Sequence, residues 1–182
     1  NEMESRRLMV RRMILDSLRH WMTEYRVDGF RFDLATSHDK ETVKAIADLV
    51  YSINPKAMLI AEPWGGEGAT NAKDFLNAGW AKWNDGIRSA IRSENRPTRT
   101  GQAFALGNGG GADNLKAYWM GSVDGAKPWQ MVNYIESHDD TTFGDNMRIQ
   151  SGFYNFFQAD GKTPSRGSDI AGYLELNDYL LG

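Results

Sequence analysis

Along this chain, apolar residues recur first at a helical period and then at a strand period, and the two patterns alternate. Over residues 6–25, Val10, Ile14, Leu18, Trp21 and Tyr25 are spaced by four, four, three and four, which predicts an amphipathic helix. Arg6, Arg7, Arg11, Arg12 and Arg19 form its solvated side, interleaved with Glu2, Glu4, Asp16 and Glu24. A strict alternation follows in Val27-Asp28-Gly29-Phe30-Arg31-Phe32-Asp33-Leu34-Ala35. In a strand, Phe30, Phe32 and Leu34 leave one face, and Gly29, Arg31 and Asp33 the other. After the polar break Thr36-Ser37-His38-Asp39, with Ser37 or Asp39 as helix cap, the helical period returns. Val43, Ile46, Ala47, Val50 and Ile53 share a face until Asn54-Pro55 ends the helix. Residues 57–64 then read as a buried strand that breaks at Pro63.

Strand, helix, strand in this order implies a parallel pair with a right-handed crossover. Asp33 and Glu62 therefore emerge at the same end of one sheet. A third, weaker strand is expected over Gly79–Asp85, with a short helix over Asp85–Ser93. A long Gly-rich loop is expected at about 94–113, and another short helix over Asn114–Met120. Gln130–Glu136 reads as a further strand, leading into Ser137-His138-Asp139-Asp140. Beyond Thr141 the pattern yields only a turn at Asp160–Pro164 and a helix-like segment over Ile170–Leu181.

Arg31, Asp33, Glu62, His138 and Asp139 thus gather at the ends of predicted parallel strands, where an α/β barrel carries its chemistry. Crowded carboxylates disfavour one another's ionisation, whereas a neighbouring Arg favours it. Two carboxyl groups with separated pKa values are what glycoside hydrolysis needs, one as acid and one as nucleophile. A buried structural ion pair is the plainer reading of Arg31 with Asp33. A metal-dependent phosphohydrolase would need more His ligands than His20 and His38 can add to His138. Gly161-Lys162-Thr163 is no phosphate loop, because Phe156 stands where its first glycine is required.

Composition adds bounds. The net charge of -3 argues against a nucleic-acid or membrane-surface partner, and the absence of Cys excludes disulfides. No apolar run approaches a membrane span, and compartment stays undecided. With 182 residues, the chain falls short of the roughly 250 that a complete eight-stranded barrel occupies. It is expected to be a fragment of a single (β/α)8 catalytic domain over 1–182. Alone, with open sheet edges, it should be inactive and prone to aggregation.

VDGFRFDLA, IAEPW and NYIESHDD, in this order, resemble three catalytic strands of glycoside hydrolase family 13, the α-amylase family. The resemblance spans most of residues 6–145 and implies a partial TIM (β/α)8 barrel, about strands four to seven with their helices. It implies Asp33 as nucleophile, Glu62 as general acid/base and Asp139 as the third, transition-state-stabilising acid. Arg31 and His138 become substrate-binding supports. Trp64, the Trp-x-x-Trp-Asn-Asp stretch at Trp80–Asp85 and the Asn133-Tyr134 opening resemble the debranching group: pullulanases, isoamylases and glycogen debranching enzymes. The implied activity is retaining hydrolysis of α-1,6 branch points in an α-glucan partner, with Trp64 as a platform for sugar and no organic cofactor. The family's Asp-x-x-x-Asn-His strand, often tied to calcium, is absent from this sequence, so calcium is a matter for the full-length protein. Alternatives are an α-1,4-acting amylase or branching enzyme using the same acids, or a non-catalytic glucan-binding protein.

Overall fold

The computed structural model describes residues 4–65, 70–92, 104–106, 112–121, 125–139 and 142–150. The elements run α1 (Leu8–Glu24), β1 (Gly29–Phe32), α2 (Lys40–Ile53), β2 (Met58–Ala61), α3 (Ala72–Asn77), β3 (Ala81–Trp83), α4 (Asp85–Arg92), α5 (Ala112–Trp119), β4 (Met131–Val132) and α6 (Phe143–Gln150). They divide into two units. One holds the residues up to Asn84 together with Ala117–Asn133, and the other holds Asp85–Lys116 and the residues from Tyr134 onward.

The first unit is an α/β layer. Its four strands stand in the order β1-β2-β3-β4, and every neighbouring pair is parallel. The expected parallel pair is therefore present, with α2 joining β1 to β2. Gly29 lies opposite Met58, and a Cβ there would fall 2.8 Å from the Met58 nitrogen and nearer still to its carbonyl oxygen. Only glycine lets the two backbones approach this closely. The core joins Val43, Ile46, Ala47 and Val50 of α2 to Leu59, Ala61, Phe75 and Trp80, with Phe30 and Phe32 packed against it. Phe32 and Phe75 meet the Trp80 ring at centroid distances of 4.8 and 5.3 Å.

Several expectations are corrected by this packing. On α1 the buried residues are Leu18 and Met22, whereas Trp21 and Tyr25 are exposed and stack on each other at 4.6 Å. At 100° per residue Trp21 lies about a quarter-turn off the buried stripe, and Tyr25 is the C-cap, past the last helical turn. Leu34 does not continue the Phe30–Phe32 face. It turns left-handed at φ 41° and is half-exposed. β4 is two residues long, not seven, because its partner β3 has only three residues and the ladder ends at Trp83 opposite Val132. Helix α6 was not expected. Its signal is Thr142, whose hydroxyl accepts the Asp145 N–H at 3.2 Å. The turn at 160–164, the segment 170–181 and most of the loop at 94–113 lie outside the described residues. Within that loop, Phe104–Leu106 form one 3-10 turn.

Asp39 rather than Ser37 caps α2, accepting the Thr42 N–H at 3.0 Å. Its carboxylate also accepts the hydroxyls of Ser5 and Thr42, each at 2.6 Å, and meets Arg11 Nη2 at 2.9 Å. This buried knot ties the chain before α1 to the start of α2. Burial opposes ionisation of Asp39, but the hydrogen bonds from Ser5 and Thr42 outweigh it and hold its pKa well below the usual carboxylate range. A depressed carboxylate contributes stability above the unfolded pKa of about 4, and that stability fades as pH falls below it. Asparagine caps a helix nearly as well as aspartate, so Asp39→Asn isolates the other ties. The expected result is a loss of about 1–2 kcal/mol at pH 7, with a flatter dependence of melting temperature on pH below 4. Thermal melts from pH 2.5 to 7 check both.

Candidate functional site

The C-terminal ends of β1 and β2 lie side by side, and each is followed immediately by a carboxylate. Phe32 pairs with Ala61, so Asp33 and Glu62 are the next residues on adjacent strands. Arg31, on the same face of β1 as Asp33, reaches both. Its Nη1 donates to Asp33 Oδ1 at 2.5 Å, and its Nη2 lies 3.2 Å from Glu62 Oε1. The second Glu62 oxygen, Oε2, accepts the backbone N–H of Leu34 at 2.6 Å. Both oxygens of Glu62 are thus held, one by a guanidinium and one by a peptide. The two carboxylates differ sharply in setting. The Asp33 side chain is 66% exposed and that of Glu62 is 5% exposed.

Backbone bonds join the two strand ends beyond the sheet. The Glu62 N–H donates to Phe32 O at 3.0 Å, and the Ala35 N–H donates to Glu62 O at 2.9 Å. The Thr36 hydroxyl donates to the Gly65 carbonyl. These ties, with the left-handed Leu34, were missed in the sequence. A strand alternation that stops at a polar break was the available signal. Trp64 is exposed two residues past Glu62, next to Gly65 at φ 82°. Trp80 is core at 1% exposure.

At the end of β3, Asn84 is buried. Its N–H donates to Val132 O at 3.0 Å, and its side-chain amide to Tyr118 O at 2.8 Å and Asn133 Oδ1 at 2.7 Å. Gln130 donates across the unit to the carbonyls of Leu76 at 2.8 Å and Trp80 at 3.1 Å.

His138 and Asp139 belong to the second unit. There His138 Nε2 stands 3.4 Å from Asp139 Oδ2, with both side chains exposed. The Asp139 N–H donates to the Ser137 hydroxyl at 3.3 Å. In the same unit Tyr134 donates its hydroxyl to Asp85 and accepts from Arg88 Nη1 at 2.6 Å, with the Arg88 guanidinium 5.1 Å from the Tyr134 ring centre. Burial and then the Asp85 carboxylate raise the Tyr134 pKa, so it stays a neutral phenol. Among the described residues, no group of three or more His, Cys, Asp or Glu is arranged to hold a metal ion, and no helix is long and apolar enough to cross a membrane.

Fold and site together define a class: an α/β chain with a parallel sheet whose strand ends carry a guanidinium-linked carboxylate pair. Comparison with known proteins narrows it. The glycogen operon protein GlgX homolog of Mycobacterium bovis is 34% identical over 155 residues, which are 80% of this chain and 20% of that protein. The pullulanase of Bacillus subtilis is 32% identical over 165 residues, 81% of this chain and 22% of that protein. A crystal structure of pullulanase from Anoxybacillus sp. LM18-11, complexed with maltotetraose, superposes with a TM-score of 0.75 at 28% identity, covering 85% of this chain and 24% of that one. No protein-family model matches the chain. It spans about a fifth of the length of the curated relatives it matches. The chain belongs, over about four-fifths of its length, to glycoside hydrolase family 13 and to the debranching group within it.

The geometry predicts how the site's stability is distributed. Removing the cation beside a recessed carboxylate strands its charge, whereas removing an exposed partner costs little. Arg31→Met should therefore cost about 2–4 kcal/mol and Asp33→Asn less than about 1. Urea midpoints of the two variants, compared with the parent, check the order.

Proposed function

We propose that the protein is a retaining α-glucan hydrolase that cleaves α-1,6 branch points of glycogen, starch or pullulan. The observation that carries this reading is the pair Asp33 and Glu62, at the ends of adjacent parallel strands and joined through Arg31. Two carboxyl groups flanking one cleft are the minimal equipment of a glycosidase. Glu62 protonates the glycosidic oxygen as Asp33 attacks the anomeric carbon. Water, activated by Glu62 as base, then releases the glycosyl ester. Asp139 is proposed as the third acid, steadying the sugar hydroxyls, and His138 and Arg31 as substrate supports. These roles rest on the motifs NYIESHDD and VDGFRFDLA. The strands are proposed as four to seven of a (β/α)8 barrel, in one catalytic domain over 1–182. The pullulanase alignment supports this, since it covers 81% of the chain, more than either unit holds.

In the full-length protein, Glu62→Gln and Asp33→Asn should each lower kcat on pullulan by about 10²–10⁴, the usual worth of an acid–base or nucleophilic group. The parent's first product should keep the α-anomeric configuration by NMR. Inverted product, or variants as active as the parent, would defeat the reading.

Linkage preference must come from groups that cradle the sugars, because the acids are common to α-1,4 and α-1,6 cleavage. Trp64 is the exposed aromatic nearest Glu62 in sequence, and an aromatic face packs well against a sugar ring. A platform worth ~1.4 kcal/mol in one transition state only shifts the activity ratio about tenfold. Trp64→Ala should accordingly lose about tenfold more kcat/KM on pullulan than on amylose. Equal losses would leave Trp64 as general packing.

A further inference from the structure

Leu34 holds a conformation that L-residues rarely adopt, φ 41° and ψ 46°, and it does so between the two proposed catalytic carboxylates. Such a residue persists where its surroundings over-determine it. The surroundings here are specific. Leu34 directs its N–H to Glu62 Oε2 at 2.6 Å, and the next residue, Ala35, donates to the Glu62 carbonyl at 2.9 Å. Thr36 then fastens its hydroxyl to the Gly65 carbonyl, so the segments following the two strands are stitched at three successive residues. The Leu34 side chain leans on Gly65. A Cβ at position 65 would stand 2.9 Å from Leu34 Cβ and 3.0 Å from Cγ, and closer to Cδ2. Gly65 is itself left-handed at φ 82°.

We infer that this stitched turn, Leu34 through Thr36 against Gly65, is a positioning device for the Glu62 carboxyl. It rests on the reading of Glu62 as acid/base. A core role does not explain the turn, since the Leu34 side chain is 44% exposed. Its N–H, by contrast, sets the rotation of the carboxyl about its last bond, with Arg31 on the other oxygen. Asp33 is held separately, by Arg31 Nη1 at 2.5 Å. In the first chemical step the proton passes from Glu62 to the glycosidic oxygen. The bond from the anomeric carbon to that oxygen breaks, its electron pair leaves with the oxygen, and a bond to an Asp33 oxygen forms. Only proton delivery depends on where the Glu62 O–H points.

That dependence separates positioning from general packing. An α-maltosyl fluoride leaves as fluoride and needs no proton in the first step. In the full-length protein, Gly65→Ala forces Leu34 aside, and Thr36→Val removes one stitch with little change of shape. Gly65→Ala is expected to lower kcat on pullulan about tenfold or more, with KM within about threefold. The first-turnover burst of fluoride from α-maltosyl fluoride should change by less than about threefold. Thr36→Val should show the same split at smaller size, and it carries the test if Gly65→Ala melts below assay temperature. Equal losses on both substrates, or no loss on either, overturn the positioning role while leaving the function standing. A parent enzyme that does not hydrolyse α-glucan overturns the function itself.

Discussion

The parallel pairing of β1 on β2, in register from Gly29 opposite Met58 to Phe32 opposite Ala61, is the constraint from which the rest of the first unit follows. Parallel neighbours need a crossover, and α2 supplies it with its apolar face turned to the sheet. The register places residues 33 and 62 side by side at one edge of the layer. A slip of one residue would exchange the faces of Arg31 and Phe32 and scatter the site. Gly29 protects that register, because any side chain there meets the Met58 backbone. The chemistry at one end of the pair thus depends on a missing side chain at the other.

The guanidinium of Arg31 is the second dependency. A carboxylate with its side chain 5% exposed is costly to bury unless its oxygens are paired. Glu62 meets this with one cation and one backbone donor, and Asp33, largely in solvent, needs little of either. Arg31 is in turn incompletely satisfied: its Nε is buried and has no hydrogen-bond partner among the described residues. The arrangement gives up some stability for geometry. A lysine could neutralise one carboxylate but could not span both, since its charge sits on a single nitrogen.

Much of the first unit was legible because its signals are local and periodic. The α2 face Val43–Ile46–Ala47–Val50 and the β1 pair Phe30–Phe32 pack as the spacing required. Asp33 and Glu62 could be brought together on paper because strand–helix–strand admits few topologies. Less legible were features that depend on partners elsewhere. Trp21 and Tyr25 fit an apolar spacing, yet helix phase leaves them outside. The length of β4 was set by its short neighbour β3, and nothing within Gln130–Glu136 announced that limit. Leu34 broke its alternation for a backbone bond to a residue 28 positions away. Asp139 matched a motif and belongs to the second unit.

Three departures from local rule in the first unit meet at one group, while Arg26, left-handed at φ 56°, and the buried Trp80 Nε1 lie elsewhere. Leu34 is left-handed without being glycine, Glu62 is charged but recessed, and Arg31 leaves a nitrogen unpaired. All lie within contact of the Glu62 carboxyl. Departures scattered at random would imply a sheet at the margin of its stability. The three that meet at one carboxyl are consistent with an orientation that matters to the protein beyond stability. Asp39 is the counterexample that sharpens this. It is another buried carboxylate in the same unit, yet Ser5, Thr42 and Arg11 satisfy it completely, and the backbone around it is relaxed. A carboxylate whose task is only to join two helices can be saturated with donors. One whose task is to pass a proton is held more lightly: Glu62 has one donor on each oxygen, against the four contacts of Asp39.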